Sequence, residues 1–112
     1  MSMQQLNEQV SVSGQLSVTD LPALKELGVE LLVCNRPDGE SADQPTFAEI
    51  AAAAEELGMR VENIPFAGPD MTKAHGQEFA ALLTSGKRTH AYCRSGARSG
   101  NLFALASQMT DG

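Results

Sequence analysis

The segment THAYCRSGARSG, residues 89–100, decides the fold expected of this chain. A run with β-strand character ends at Cys93, and a helix is expected to begin near Arg98 or Ser99. Gly96 lies in the middle of the connection, where glycine permits the positive φ angles that a tight turn needs. The segment therefore predicts a strand, a tight loop and a helix in direct succession, a unit typical of α/β domains.

Strand and helix patterns alternate along the rest of the chain. The predicted strands are QVSVSGQ at 9–15, in which Val10 and Val12 face one way, Val29–Cys34, the further interior strand RVENIPF at 60–66, and THAYC at 89–93. The predicted helices are 21–27, Thr46 to about Gly58, 72–83, and Arg98 or Ser99 to Met109. This alternation predicts one α/β domain over residues 1–112, with a mainly parallel sheet of four to five strands and helices on both faces.

Two of the predicted helices begin with capping boxes. Ser17 can cap the first helix, and the Asp20 side chain can reach back to the Ser17 backbone. Thr46 and Glu49 have the same relation at the start of the second helix. These signals place the starts of both helices independently of the hydrophobic pattern.

Three turn-rich loops should meet at one edge of this sheet. They are NRPDGE at 35–40, FAGPD at 66–70 and CRSGARS at 93–99. Because the carboxyl ends of parallel strands share an edge, and ligands of open α/β sheets bind there, we expect the chemically unusual residues to lie together. The sequence therefore predicts the functional site at this edge.

The thiol of Cys93 is expected at the centre of an anion-binding loop. Backbone N–H groups can turn inward around Gly96 and form a nest, and the following helix adds the partial positive charge of its N-terminus. Arg98 adds a permanently charged donor fork, and Arg94 adds positive field. In such settings the pKa of a cysteine falls from ~8.5 to about 3.5–7.5, so we predict a nucleophilic thiolate. The predicted anion-binding loop comprises Arg94, Ser95, Gly96, Ala97, Arg98 and Ser99.

Composition and charge argue against several other classes of protein. The chain is 42% hydrophobic and can bury a core, but its net charge of −6 and lack of a basic stripe argue against nucleic-acid binding. No apolar run approaches the ~20 residues that span a bilayer, and the N-terminus MSMQQLNEQV lacks the pattern of a signal peptide. We therefore expect a cytoplasmic protein with no nucleic-acid or membrane partner and with two free thiols.

The spacing between Cys93 and Arg98 bears on the chemistry. Four residues separate them, as in rhodaneses, whereas cysteine phosphatases use a wider loop with one more residue. YCRSGARS at 92–99 resembles a rhodanese active-site loop. The stretches SGQLSVTDLPALKELGVELLVCNRPDGE at 13–40 and IPFAGPD at 64–70, taken with CRSGARS, resemble the phosphatase-like domain of the beta-lactamase hydrolase-like protein family. That resemblance covers nearly the whole chain.

The resemblance implies a fold like that of dual-specificity phosphatases, with the shorter loop. It implies Cys93 as the nucleophile and Arg98 as the residue that holds the anion. It also implies supporting roles at the rim of the site for Arg36, Asp38 and Glu40. Members of the family have been described both as phosphatases and as sulfur transferases, and some are fused to persulfide-oxidising metallo-β-lactamase domains.

Our main hypothesis from the sequence is a sulfurtransferase without a cofactor, in which thiosulfate or a persulfide donates sulfane sulfur to Cys93 and an acceptor thiol removes it. The alternative is a phosphatase in which Cys93 attacks a phosphoester and Asp70, placed like the general acid of dual-specificity phosphatases, protonates the leaving group. Tyr92, where phosphatases usually have histidine, and the short loop favour sulfur transfer. A second alternative is a non-catalytic persulfide or redox carrier. The oligomeric state is left open.

Several candidates also have a purely structural interpretation. Asp38 and Glu40 could simply build a turn, and Arg36 could form a salt bridge with Glu40. Asp70 could serve only to cap the helix at Thr72. Each of these interpretations predicts a partner that a structure can identify.

The remaining cysteine and the histidines are expected to be mostly structural. Cys34 ends an apolar strand and is expected in the core, with a resolving thiol for Cys93 as the alternative. His75 is expected to be exposed and His90 to be packed, and neither has a partner at metal-ligand spacing. Relatives often carry further helical sequence after MTDG at 109–112, so the chain is expected to end early.

Overall fold

The computed structural model describes residues 2–110 as a sheet covered by helices. The five strands, β1 to β5, are Met3–Gln5, Val10–Ser13, Leu31–Cys34, Arg60–Asn63 and Thr89–Tyr92. The four α-helices, α1 to α4, are Leu21–Glu26, Phe47–Glu56, Lys73–Leu83 and Ala97–Thr110. Two 3₁₀ turns lie at Val18–Asp20 and Gly68–Asp70. Asp111 and Gly112, on which the expectation of an early chain end partly rests, lie outside the described residues.

The strands form one sheet in the order β1-β2-β5-β3-β4. Four of them are parallel, with Val12 and Val33 paired on either side of Ala91, and β1 joins β2 in antiparallel fashion. The predicted mainly parallel sheet is therefore confirmed, although β1 was not predicted. Its sequence MQQ carries no apolar alternation, so the pairing with β2 rather than its own pattern makes it a strand.

The two faces of the sheet are covered by different helices, as predicted. Phe79 of α3 and Leu102 of α4 pack on one face with Val33. Leu24 of α1 and Ile50 of α2 pack on the other face in a second cluster. Successive residues of a strand point to opposite faces, so β3 supplies Val33 to the first cluster and Leu32 to the second, whereas β2 supplies only valines of the first cluster.

One predicted strand has the wrong position in the sheet. The segment 60–66 was expected to be interior, but β4 covers only Arg60–Asn63 and lies at the edge, with both of its terminal residues exposed. Ile64 and Phe66 are buried beyond the end of the strand. Their apolar character, which the prediction assigned to a central strand, instead anchors the loop that follows β4.

The structure contains the first of the two predicted capping boxes in full, and only the hydroxyl half of the second. The Asp20 carboxylate accepts a hydrogen bond from the Ser17 backbone N–H at 2.9 Å, but the box opens the 3₁₀ turn that precedes α1 rather than α1 itself. The Thr46 hydroxyl accepts from the Glu49 N–H at 3.2 Å at the start of α2. Among residues 2–110, no helix combines the length and the apolar character required to cross a bilayer.

His90 is a buried polar residue of β5 whose ring contacts β2. Its side chain is 0% exposed, and its ring nitrogens Nδ1 and Nε2 lie 2.7 Å and 2.8 Å from the hydroxyls of Ser11 and Ser13. Burial lowers the pKa of His90 to about 4. The expectation that His90 is packed is confirmed, and the ring remains neutral at neutral pH.

We predict a specific acid sensitivity from His90. The unfolded chain protonates this residue near its ordinary pKa of 6.5, but the folded chain does so only near about 4. The contribution of His90 to folding stability is therefore complete above pH 6.5. The free energy of unfolding falls by up to about 3 kcal/mol as the pH drops to 4. Urea unfolding across this range measures the loss. The His90→Gln variant should lack this part of the slope, and equal slopes in both proteins would contradict the prediction.

Gly14 follows β2 and packs against the loop after β5. A Cβ atom there would lie 2.9 Å from the Arg94 carbonyl oxygen, which also accepts from the Gln15 N–H at 3.3 Å. We expect Gly14→Ala to destabilise the fold by about 1–3 kcal/mol, because backbone cannot move aside as a side chain can. Gly100→Ala in α4 is the control: it meets nothing within 4 Å, so unfolding experiments should find it neutral or stabilising.

Candidate active site

Cys93 lies directly after β5, at the carboxyl edge of the parallel strands. Its N–H donates to the Ser13 carbonyl oxygen at 3.3 Å, and the residue is 0% exposed. Gly96 has a φ of 98°, which reverses the chain into α4. The helix begins at Ala97, one residue before the earlier predicted start, so the loop between strand and helix is very short.

Backbone N–H groups of the loop are directed at the Cys93 sulfur. The Gly96 N–H donates to Sγ at 3.0 Å. Burial raises the pKa of the thiol, but the backbone N–H groups of Ser99, Ser95 and Gly96, together with the Ser99 hydroxyl, outweigh burial and lower the pKa of Cys93 below its ordinary value. The sequence predicted such a nest around the sulfur. It did not predict that the Ser99 hydroxyl would take part in it.

Glu40 connects Arg98 to Arg36 at the rim of the loop. Arg98 Nη1 donates to Glu40 Oε1 at 3.0 Å and to Oε2 at 2.9 Å, and Arg36 Nε donates to Oε1 at 3.1 Å. Burial raises the pKa of Glu40, but the hydrogen bonds from the two arginines outweigh it and lower that pKa below its ordinary value. The carboxylate is therefore ionised at neutral pH, and the ion pair between Arg36 and Glu40 is present as predicted.

One edge of the Arg98 guanidinium makes no hydrogen bond to residues 2–110. Each hydrogen bond that Arg98 makes to the described part of the chain uses Nη1, including a long one of 3.5 Å to the Phe66 carbonyl oxygen. The remaining donors, Nε and Nη2, can hold two oxygens of one anion. Glu40 thus fixes the side chain from one side and leaves the other side available.

Asp38 and Arg94 do not present side chains for direct contact with a ligand in the loop. The Asp38 carboxylate accepts from the Phe47 N–H at 2.8 Å and so ties the loop after β3 to the first residue of α2. Asp38 therefore builds the turn, as its structural interpretation predicted. Arg94 is exposed to solvent, so it can act on the loop only through its positive charge at a distance.

Asp70 lies at the end of the 3₁₀ turn Gly68–Asp70, and its carboxylate is exposed and makes no hydrogen bond to residues 2–110. The start of α3 is capped instead by a capping box of Thr72 and His75, in which His75 Nδ1 accepts from the Thr72 N–H at 2.9 Å. The expectation that His75 is exposed was wrong, because the ring is half-buried and stacks on Phe66 at 4.9 Å. Asp70 is therefore an exposed carboxylate without a structural partner in residues 2–110, on a loop that the contact between Phe66 and His75 holds in place.

Asn35 is a residue of the site that the sequence reasoning missed. It is 0% exposed, its Nδ2 donates to the Ile64 carbonyl oxygen at 2.9 Å, and its Oδ1 accepts from the Ser99 hydroxyl at 2.8 Å. Asn35 therefore joins the ends of β3 and β4 to the first turn of α4. The available signal was a polar residue placed directly after a buried strand at the predicted functional edge.

Cys34 is a buried thiol of the second cluster, as its core interpretation predicted. It is 2% exposed, and its Sγ donates to the Arg36 carbonyl oxygen at 3.3 Å. Burial raises the pKa of Cys34, and Tyr92, on the neighbouring strand, is its side-chain hydrogen-bond partner. Both cysteines are free, so Cys34 and Cys93 are not joined by a disulfide.

A cleft of about 480 Å³ opens beside the loop, between the N-terminal strands and α4. Ser95, Gly96 and Ala97 line it on the loop side, and Gly100 and Asn101 line it along the helix. None of the residues that line it is charged. Among residues 2–110, no group of three or more His, Cys, Asp or Glu side chains is placed to hold a metal ion.

Comparison with known sequences identifies one family. The family model for the beta-lactamase hydrolase-like protein, phosphatase-like domain, matches residues 2–110. A beta-lactamase hydrolase-like protein of Agrobacterium fabrum is 30% identical over 105 residues, which are 93% of this chain and 24% of that protein. A Xylella fastidiosa protein described in the same words is 32% identical over 113 residues, 100% of this chain and 26% of its own length. The chain thus spans about a quarter of these relatives.

Solved structures agree with the family and with the fold. A candidate phosphatase from Neisseria meningitidis is 32% identical with a TM-score of 0.79, over 88% of this chain and 71% of that chain. The core catalytic domain of a PP-IP phosphatase from Saccharomyces cerevisiae has a TM-score of 0.75 over 98% of this chain and 67% of its own, and at 12% identity it shows the fold alone. The predicted cysteine-phosphatase architecture is confirmed, and the chain belongs to the family of the phosphatase-like domain of beta-lactamase hydrolase-like proteins.

Proposed function

We propose that this chain is a cysteine-dependent phosphatase that hydrolyses a small phosphoester. This choice reverses the order of the two hypotheses drawn from the sequence, because the relatives and the fold are of the phosphatase type. The observation that carries it is the set of backbone N–H groups around the Cys93 sulfur, next to an Arg98 guanidinium whose free edge can bind two phosphoryl oxygens. The substrate would be an anion held by the loop and the rim.

In the first step, the Cys93 thiolate attacks phosphorus, a P–S bond forms and the P–O bond to the leaving group breaks. The loop N–H groups and Arg98 stabilise the charge on the equatorial oxygens. Asp70 in its protonated form gives its proton to the leaving oxygen. In the second step, water attacks phosphorus, Asp70 takes a proton from the water, and the P–S bond breaks. Phosphate leaves and the thiolate is restored.

Sulfur transfer remains a second candidate because four residues, rather than five, separate Cys93 from Arg98. The Cys93 thiolate would attack the outer sulfur of thiosulfate, an S–S bond would form, and sulfite would leave with the electron pair of the broken bond. An acceptor thiolate would then attack the outer sulfur of the persulfide and regenerate the Cys93 thiolate. Sulfite and thiolates leave without protonation, so this reaction does not need Asp70.

The two candidates predict different effects of Asp70→Asn. Hydrolysis of an aryl phosphate by the wild-type protein should fall by roughly 10²-fold in the variant, the usual contribution of a general acid. Sulfur transfer from thiosulfate to cyanide should barely change. Steady-state rates with both substrates decide between them, and Cys93→Ser should abolish either activity. Turnover of thiosulfate with no hydrolysis of aryl phosphate would overturn the phosphatase proposal.

Intact mass spectrometry provides a test of the second candidate that does not depend on turnover. After incubation with thiosulfate, a gain of about the mass of one sulfur that is lost in Cys93→Ser would indicate a persulfide. The phosphatase proposal expects no such gain. A stable gain without turnover would instead fit a non-catalytic sulfur carrier.

Glu40→Gln tests whether the rim positions Arg98 for an anion. The amide keeps the size of the side chain but loses the ionic hydrogen bonds from both arginines, so inhibition by vanadate should weaken about tenfold. Glu62→Gln is the matched control. Glu62 also pairs with an arginine, Arg60, but this exposed pair lies on the edge strand β4 and belongs neither to the loop nor to the rim. Stronger inhibition of Glu40→Gln would show that Glu40 competes with the anion rather than positioning its partner.

A further inference from the structure

The face of β2 opposite its valines carries two buried serines. Ser11 and Ser13 are 2% and 3% exposed, and both lie against the ring of His90 on β5. Their Oγ atoms lie 2.7 Å from Nδ1 and 2.8 Å from Nε2 of that ring. Because this serine–histidine network of Ser11, His90 and Ser13 is closed to solvent, its protons must be arranged so that each polar atom meets a partner within the protein.

The Gly14 carbonyl oxygen determines where these protons lie. Ser13 Oγ donates to it at 2.9 Å, since a carbonyl oxygen can only accept. A hydroxyl has one proton, so Ser13 can only accept from His90, and Nε2 must carry the proton of the neutral ring. Nδ1 is then bare and accepts from the Ser11 hydroxyl. Donation therefore runs in one direction, from Ser11 to His90, to Ser13 and to the backbone of Gly14.

The hydrogen bonds of the network end at the backbone that supports the cysteine loop. The Ser13 carbonyl oxygen accepts from the Cys93 N–H at 3.3 Å, and the Arg94 carbonyl oxygen accepts from the Gln15 N–H at 3.3 Å. A Cβ atom on Gly96 would lie 3.4 Å from the Ser13 carbonyl carbon, so the turn of the loop packs directly on this backbone. A shift of this backbone would therefore move the loop N–H groups relative to the sulfur.

The end of β2 also reaches the rim. The Gln15 side-chain oxygen accepts from Arg36 Nη1 at 3.1 Å. Arg36 in turn donates to Glu40, which accepts from Arg98. Both the loop and the rim therefore contact the residues at the end of β2, and the serine–histidine network holds that end from its buried side.

We propose that His90, as the Nε2–H tautomer, is a positioning residue for the anion site and acts through Ser13. Its N–H orients the Ser13 hydroxyl onto the Gly14 carbonyl oxygen and so holds the end of β2 against the loop. The loop N–H groups then keep their direction toward the Cys93 sulfur before any anion is bound, which is the preorganisation that charge stabilisation requires. The effect on turnover rests on the proposed function, whereas the effect on ionisation of the thiol can be measured without any substrate.

The tautomer is tested directly by NMR. In the isotope-labelled protein at neutral pH, a long-range proton–nitrogen correlation spectrum distinguishes a protonated ring nitrogen from a bare one. His90 should show its proton on Nε2 and a bare Nδ1, and its signals are assigned by their loss in His90→Gln. A ring protonated on Nδ1 would overturn the inference, since Ser13 would then have to donate to His90 rather than to Gly14.

Two amide variants separate positioning from packing. His90→Gln places an amide N–H where Nε2 stands and can still donate to Ser13, whereas His90→Asn carries its amide at the position of Nδ1 and reaches only Ser11. At a fixed pH below the thiol pKa, alkylation of Cys93 by iodoacetamide should slow about tenfold in His90→Asn and by about twofold or less in His90→Gln. Ser13→Ala should share the tenfold loss and Ser11→Ala should not, because Ser13 alone connects the ring to the backbone at the loop.

Urea unfolding of the same variants gives the comparison with a purely structural role. Such a role would lower the stability of His90→Asn but leave its alkylation rate equal to that of the wild-type protein, and this result would overturn the inference. If His90→Asn does not fold, as judged by circular dichroism, the difference between Ser13→Ala and Ser11→Ala decides alone. Alkylation is quantified on the Cys93 peptide, so that Cys34 does not contribute. A wild-type Cys93 that ionises no more readily than free cysteine would instead count against the proposed function, which needs the thiolate.

Discussion

The hydrogen bonds from backbone N–H groups to the Cys93 sulfur are the interaction on which the rest of the site depends. The residue is fully buried, and burial alone would keep its thiol neutral. The N–H groups reverse that effect because the chain turns within a few residues from β5 into α4, with Gly96 at positive φ. They are part of the backbone, so they require no rearrangement when charge develops on a bound anion.

At the rim, hydrogen bonds likewise compensate for the burial of charged side chains. Arg36 is 5% exposed, and such a cation is tolerated because Glu40 and the Gln15 side chain accept its hydrogen bonds. Glu40 is shared with Arg98, so a residue from the loop after β3 sets the position of a residue in α4. The proposed anion site therefore combines the loop after β3 with the first turn of α4, which are far apart in sequence and adjacent at the sheet edge.

The spacing between Cys93 and Arg98 favours sulfur transfer, whereas the family favours phosphate hydrolysis. The two signals describe different parts of the molecule. The short interval between Cys93 and Arg98 is a local property, and it narrows the loop whatever fold surrounds it. The family and the order of the strands describe the surroundings, which are those of cysteine phosphatases. Tyr92, which favoured sulfur transfer in the sequence, packs in the second core cluster beside Cys34. Its identity therefore reflects packing under α1 and α2 more than the chemistry at the sulfur.

By itself, the sequence determined what depends on neighbours along the chain: the alternation of strands and helices, the capping boxes, and the strand, tight loop and helix around Cys93. These follow from hydrophobic period, from glycine and from side chains a few residues apart. Only the tertiary structure decided the edge position of β4, the pairing of β1, the sharing of Glu40 and the contact between Asn35 and Ser99. Those features join residues that are distant in sequence. The packed sheet decides which strand ends lie together, and this in turn decides which partner a polar side chain meets.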